Sequence, residues 1–507
     1  MNIKRAKNEI KNALKAYLAT DEFGAYRIPP IRQRPILLMG PPGIGKTQIM
    51  QQIAEETGVG LVSYTLTHHT RQSALGLPFI DKVMLGGEER TVTAYTMSEI
   101  IASVYREMER TGVKEGILFL DEINCISETL TPMMLQFLQC KTFGNQQLPA
   151  GWVVVAAGNP PEYNKSVREF DVVTLDRVKK IDIEEDFGVW KEYARRKNLH
   201  GAILSYLDIK KDNFYRIENT ADGLQFATAR GWEDLSELLY AYETLGIRAD
   251  REVVGQYIQM PRIAKDFANY LEMFYKYQKT YHVEGILSGT WENITVLELR
   301  EAPFDEKLSV MGLVLSRLSE EARNTRCQDA LTDALHTSLT EFREKIADAP
   351  PLTVLDQLLW KRRTAMKQAK EAGQLDKESR DLKQREINAL EDYRQRLDRE
   401  AVAPEGAMDA VRGWFGEEVE RRKAVAMETK DMFDNAFRFL ETTFGDSQEL
   451  VIFVTEITVG YNTSWFVEQF GCDAYFRHNR ELLFDSTRHR IREEIAAAKA
   501  AEQEENT

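Results

Sequence analysis

Three short stretches of this chain carry residue types suited to handling a phosphate chain. The first is Gly40-Pro41-Pro42-Gly43-Ile44-Gly45-Lys46-Thr47, directly after the apolar run Pro35–Met39. It fits G-x-x-x-x-G-K-[ST] at every fixed position. Its glycines let successive backbone N–H groups turn inward on phosphate oxygens. Lys46 would reach the β- and γ-phosphates, and Thr47 would offer a hydroxyl to Mg²⁺. Residues Gln48–Ala54 read as a helix whose positive N-terminal end faces the phosphates. An ordinary glycine turn can match the pattern by chance, but strand, loop and helix stand here in the order the chemistry needs.

The second stretch is Ile117–Leu120, fully apolar and readable as a buried parallel strand, which ends in Asp121-Glu122. Asp121 would order a Mg²⁺ shell, and Glu122 would orient and polarise an attacking water. Acidic residues after an apolar strand are common, so the pair takes its meaning from the phosphate loop. The third is Trp152–Ala157, followed by Gly158-Asn159-Pro160. An amide at that strand tip can bond both a γ-phosphate and a water, whereas an isolated Asn-Pro would be read as a turn. Further on, Arg177 precedes another apolar strand and Arg230 opens a helical pattern. Taken singly, either arginine reads as a surface charge.

Together GPPGIGKT (Gly40–Thr47), LDEIN (Leu120–Asn124), AAGNP (Ala156–Pro160), LDRV (Leu175–Val178) and ATARG (Ala227–Gly231) resemble an AAA+ ATPase, and within that class the MoxR branch. The resemblance covers roughly Met1 to Gln278. It implies ATP and Mg²⁺ as the bound species, Asn159 as sensor 1, Arg177 as the arginine finger and Arg230 as the sensor 2 arginine. It also implies a homo-oligomer, a hexamer, and a protein client or partner bearing a von Willebrand factor A-type domain. Val178 stands where relatives often have Phe, and Ala229 where they usually have Pro before the arginine. These departures bear mainly on Arg230; Arg168 is the competing finger candidate.

The expected fold is α/β: a phosphate-loop AAA+ core of parallel sheet flanked by helices over residues 1–181, a helical lid over 182–280, and a mainly α-helical C-terminal region over 281–507. Within the core, Lys82–Leu85 and Arg90–Tyr95 flank Gly86-Gly87 and read as a β-hairpin inserted between residues 68 and 97. A second turn is expected at Phe143–Gln146. Relatives carry hairpins at similar places, pointing toward a central pore; an ordinary surface hairpin would look the same. His68-His69 has no third ligand near it and reads as structural. Residues 356–402 alternate in charge with sparse Leu and Tyr, which suggests one or two long solvated helices. Residues 435–444 and 449–461 read as packed helices, and the tail from Ala496 as frayed.

Bulk properties narrow the function. The 507 residues carry a net charge of -14, which disfavours broad nucleic-acid binding. Four scattered cysteines form no CxxC pair and fit a reducing compartment. No run approaches bilayer length, and the N-terminal segment is amphipathic rather than signal-like, so a cytoplasmic protein is expected. The leading expectation is an ATP-hydrolysing ring that remodels a protein client. A nucleic-acid motor on the same fold, or an ATP-gated scaffold with little turnover, are the rivals; the intact Asp121-Glu122 pair disfavours the second.

Overall fold

The computed structural model describes every residue except 69–75, 87, 129, 144–145, 164–166, 168–169, 221–222, 372–376 and 481–507, and the side chains at 68, 85, 371 and 377. His68-His69, Arg168, the tip of the second hairpin and the tail from Ala496 thus lie wholly or in their side chains outside the described residues. The chain forms two compact units. One comprises Met1–Trp190 with Tyr215–Ile217 and Thr228–Gly231, and the other the remainder.

The first unit is built on a parallel five-stranded sheet: β1 (Ile36–Met39), β2 (Gly60–Thr65), β5 (Gly116–Asp121), β8 (Trp152–Gly158) and β9 (Lys179–Asp182), in the order β2-β5-β8-β1-β9. The central strands are apolar on both sides because both sides are covered, as parallel sheets require. Side chains alternate across a strand, so one apolar run feeds two cores. Leu37, Leu118, Leu120, Val154 and Ala156 pack on one face with Ile100, Ile101, Val104, Met134 and Phe137. Ile36, Leu38, Ile117, Phe119, Val153, Val155 and Ala157 pack on the other. That second face is closed by α1 (Ile3–Leu18), through Ala6, Ile10, Ala13 and Leu14, and by α2 (Lys46–Thr57). Trp152 fills the space beside two glycines; a Cβ on Gly116 would stand 2.6 Å from its ring and one on Gly60 3.1 Å.

Register brings three strand ends together. Met39 pairs with Gly158, and Leu120 with Ala156. The loop after β1, the acidic pair after β5 and Asn159 after β8 therefore leave the sheet side by side, at the carboxyl edge where open α/β sheets bind ligands.

Two hairpins interrupt the alternation. The longer pairs β3 (Pro78–Leu85) with β4 (Glu88–Tyr95), from Pro78↔Tyr95 to Leu85↔Glu88. Its first strand begins four residues earlier than the alternation suggests. Its neck is closed by Thr96 N–H to Leu77 O at 2.9 Å and Leu77 N–H to Thr96 Oγ1 at 2.8 Å. Gly76 has φ +91, and a Cβ there would meet Thr96 O at 2.0 Å, so only glycine fits. The shorter hairpin pairs β6 (Thr142–Phe143) with β7 (Gln146–Gln147). The Gln146 amide accepts from Ser98 N–H at 2.7 Å and donates to Thr96 O at 3.0 Å, which ties the two hairpins at their bases.

The second unit is mainly helical. Two short strands, Arg216–Thr220 (its first two residues counted with the first unit) and Gly223–Ala227, pair with each other within the stretch 182–280 that reads as helical; the helical spacing on either side gives no sign of them. The 42-residue helix Phe304–Lys345 and the 38-residue helix Ala407–Phe444 meet in its core. A buried Thr325–Thr429 hydroxyl pair at 2.9 Å lies between them. The charged helices Pro351–Glu371 and Lys377–Arg399 are not free arms. Leu355, Leu358, Leu359, Ile387, Leu390 and Leu397 are buried with Leu335 and Phe342, since a few leucines at three- and four-residue spacing suffice to seat one face. No single helix among the described residues is long and apolar enough to cross a membrane. Gln448–Val459 and Tyr461–Phe470 match one jointly in length and composition, but they bend by 88° and bury Phe453, Ile457 and Phe466.

In the first unit, Lys141 ends the helix Thr131–Cys140 in a left-handed conformation and is buried, its amine donating to Gln33 Oε1 at 3.1 Å. Burial pushes that amine down to about 8. A lysine whose value falls on folding binds its proton more readily when unfolded, so its contribution is lost below pH 8 and regained as pH rises toward 10.5. Chemical denaturation of wild type and Lys141→Met at pH 7, 9 and 10 should show wild type gaining on the variant through that window, by up to about 3 kcal/mol. A pH-independent difference would show that the amine keeps its proton.

Candidate functional site

The loop from Gly40 to Gly45 turns between β1 and α2 with Gly43 at φ 74 and Gly45 at φ 93, conformations that glycine adopts without strain. Gly40 is fixed by crowding, because a Cβ would meet Ile183 O at 2.7 Å. Around Pro41, Pro42 and Ile44 the chain winds so that α2 starts at Lys46, with its unpaired N–H groups and positive dipole end at the loop.

Lys46 is the hub. Its buried amine donates to Gly40 O, Pro41 O and Asn159 Oδ1, each at 2.8 Å. Burial lowers it to about 8; the Asp121 carboxylate pulls the other way, and the Arg230 guanidinium pushes it further down. Such an amine is short of anionic neighbours, and a phosphate entering the loop would supply them. Thr47 Oγ1 donates to Asp121 Oδ2 at 2.7 Å. Glu122 follows in a left-handed conformation, φ 57, with its N–H on Asp121 Oδ1 at 2.9 Å. Lys46 with Asn159 and Thr47 with Asp121 thus form two hydrogen-bonded pairs from adjacent residues, with Glu122 next to Asp121 in the chain.

The arginines stand differently. Arg230 approaches the loop: a Cβ on Gly43 would lie 3.5 Å from Arg230 Cβ and 3.4 Å from Thr228. Arg177 is exposed, and Nη1 donates to Gln139 Oε1 at 2.7 Å; among the described contacts it touches none of the five residues above. Two contributors had no assigned role in the sequence reading. Tyr215 OH donates to Pro42 O at 2.8 Å, and burial pushes its phenol up, with Tyr163 and Glu185 adding to the effect. Asn124 Nδ2 donates to Asn159 O at 2.8 Å. An Asn two residues after the acidic pair was visible in the sequence; nothing there singled out Tyr215.

The donor set suits Mg²⁺ held together with phosphate oxygens. Among the described residues no three His, Cys, Asp or Glu gather as a metal cage. A hydroxyl and one carboxylate oxygen at hydrogen-bond distance are what a Mg²⁺ ion sharing a polyphosphate uses, since it keeps waters and takes few protein ligands.

Residues 36–174 match the model of the AAA family, the ATPase family associated with various cellular activities. The match lies within the parallel-sheet unit. The match includes the phosphate loop, Asp121-Glu122 and Asn159, and stops before Arg177 and Arg230. Lon protease of Buchnera aphidicola is 30% identical over 120 residues, 24% of this chain and 13% of the relative. Lon protease of Escherichia coli K12 is 29% identical over 121 residues, again 24% and 13%. The chain therefore matches only a small part of the length of these curated relatives. A crystal structure of a candidate ATPase from Cytophaga hutchinsonii aligns with 17% identity and a TM-score of 0.21, over 36% of this chain and 51% of that one.

Tyr215→Phe removes one hydroxyl from the outside of the loop. One hydrogen bond contributes about 0.5–1.5 kcal/mol, so calorimetric titration with ATP should show affinity weakened by roughly 2- to 12-fold. An unchanged affinity would mean that the loop holds its shape without Tyr215.

Proposed function

We propose that this chain binds and hydrolyses Mg²⁺-bound ATP. The observation that carries the reading is the hydrogen-bonded set Lys46–Asn159 and Thr47–Asp121, assembled from three adjacent strand ends at a helix N-terminus. Lys46, with the backbone N–H groups of residues 43–47, would hold the β- and γ-phosphates. Thr47 and Asp121 would hold Mg²⁺, which when bound offsets charge on the phosphate oxygens. Glu122 would accept the proton of the attacking water, and Asn159, released by Lys46, would orient that water against the γ-phosphate. Positioning and charge do most of the work in such a transfer. Arg230 would stabilise phosphate charge from within the same subunit, and residues 182–280 are the proposed lid.

Beyond the chemistry, the proposal is a MoxR-like remodelling ATPase of the cytoplasm, working as a ring, a hexamer, on a protein client or a von Willebrand factor A-domain partner. The support is the motif resemblance, the AAA match and the two hairpins. The net charge of -14 weighs against a nucleic-acid track.

Lys46→Ala should abolish ATP binding, whereas Glu122→Gln should bind ATP and hydrolyse it at least about 100-fold more slowly, by analogy with the loss of other charge-positioning groups. Phosphate release at the wild-type rate in Glu122→Gln would overturn the catalytic assignment.

Arg177 is proposed to act across a subunit boundary. Arg177→Ala should bind ATP normally yet hydrolyse it poorly, since arginine fingers are worth roughly 10³–10⁵ in rate. Mixed with Lys46→Ala subunits, it should regain part of the activity, because some interfaces then hold both an intact pocket and an intact finger. Verified mixing without recovery would transfer the role to Arg168 or remove it.

A further inference from the structure

We infer that Asn124 is a positioning residue, which sets the distance between the Glu122 carboxylate and the Asn159 amide by clamping the turn after β5 to the end of β8. The inference rests on the ATPase reading above.

Asn124 is 3% exposed. Its Nδ2 donates to the backbone carbonyl of Asn159 at 2.8 Å. Pairing with β1 ends at Gly158, whose carbonyl takes Gly40 N–H at 3.4 Å, so the next carbonyl has moved past the ladder and takes a side-chain donor instead. The other half of the amide is pressed against the strand, because a Cβ on Gly158 would lie 2.6 Å from Asn124 Oδ1. That oxygen is buried and makes no hydrogen bond among the described residues. One residue earlier, Ile123 N–H donates to Ala157 O at 2.9 Å. Residues 123 and 124 are thus keyed to 157, 158 and 159 by two hydrogen bonds and one close contact.

The groups on either side of this clamp are the ones that matter. Glu122 precedes it in a left-handed conformation that a glutamate adopts only when its neighbours hold it there. Asn159 follows it, with its side-chain oxygen on Lys46. Asn124 makes none of these contacts to reacting groups itself. It fixes the backbone from which both side chains project, and a displacement of about 1 Å in such a site can lower the rate 100-fold.

Asn124→Asp keeps the shape, removes the donor and sets a carboxylate oxygen against the Asn159 carbonyl. Gly158→Ala leaves Asn124 in place but pushes its amide away, at a residue whose φ tolerates a side chain. In the full-length chain with Mg²⁺ and ATP, each variant should lose roughly 10- to 100-fold in kcat while its calorimetric affinity for ATP stays within about 3-fold. The double variant should lose little more than either alone, because both act on one contact. A merely structural role would lower affinity, kcat and thermal midpoint together, and that result, or wild-type kcat in either soluble variant, overturns the inference. Should Asn124→Asp fail to fold, Gly158→Ala decides alone. Glu122→Gln run in parallel separates the two levels. If it is slow while Asn124→Asp is normal, only the positioning role falls; if it is as fast as wild type, the ATPase reading falls and takes this inference with it.

Discussion

A lysine amine placed where water scarcely reaches must find oxygen atoms or lose its proton. Lys46 finds three, two of them carbonyls of the loop that leads to it and the third on a side chain more than a hundred residues away. That one requirement draws the loop tightly around the start of α2 and commits β8 to ending beside β1. Desolvation lowers the amine to about 8, so the site is arranged around a charge it only partly satisfies.

The sheet makes this arrangement inexpensive. Because β5, β8 and β1 are parallel neighbours, their carboxyl ends fall on one edge without any loop having to travel. The same alternating side chains that send Leu118 to one core and Phe119 to the other keep the strands from sliding, since a slip of one residue would exchange the two faces. Precision at the edge is therefore a by-product of packing on both sides.

Much of this was legible in the sequence. The glycine loop, the acidic pair after Leu120 and the amide after Gly158 each sit at the end of an apolar run, and runs of that kind declare buried parallel strands. What escaped notice depends on contacts between distant segments. Tyr215 lies among helical and short-strand residues with no pattern of its own, and its hydroxyl matters only because the chain returns to Pro42 there. The strands Arg216–Thr220 and Gly223–Ala227 are too short for an alternation to stand out. Residues 356–402 looked solvated because charge dominates their count, although burial follows the spacing of the few leucines. Taken singly, Arg177 and Arg230 read as surface charges; in the fold Arg230 approaches Gly43, whereas Arg177 donates to Gln139.

The closed neck of the longer hairpin has a consequence for how this chain can vary. Leu77 and Thr96 bond each other on both sides, Gly76 lets the strands cross at contact distance, and Gln146 occupies the donor and acceptor that remain at Thr96 and Ser98. The strands beyond that ring enter and leave through this closed neck. Their length and surface can be rewritten as a cassette, with the strain of each new version stopping at residues 77 and 96. With such a joint, a change in the hairpin strands need not disturb the strand ends at the sheet's carboxyl edge.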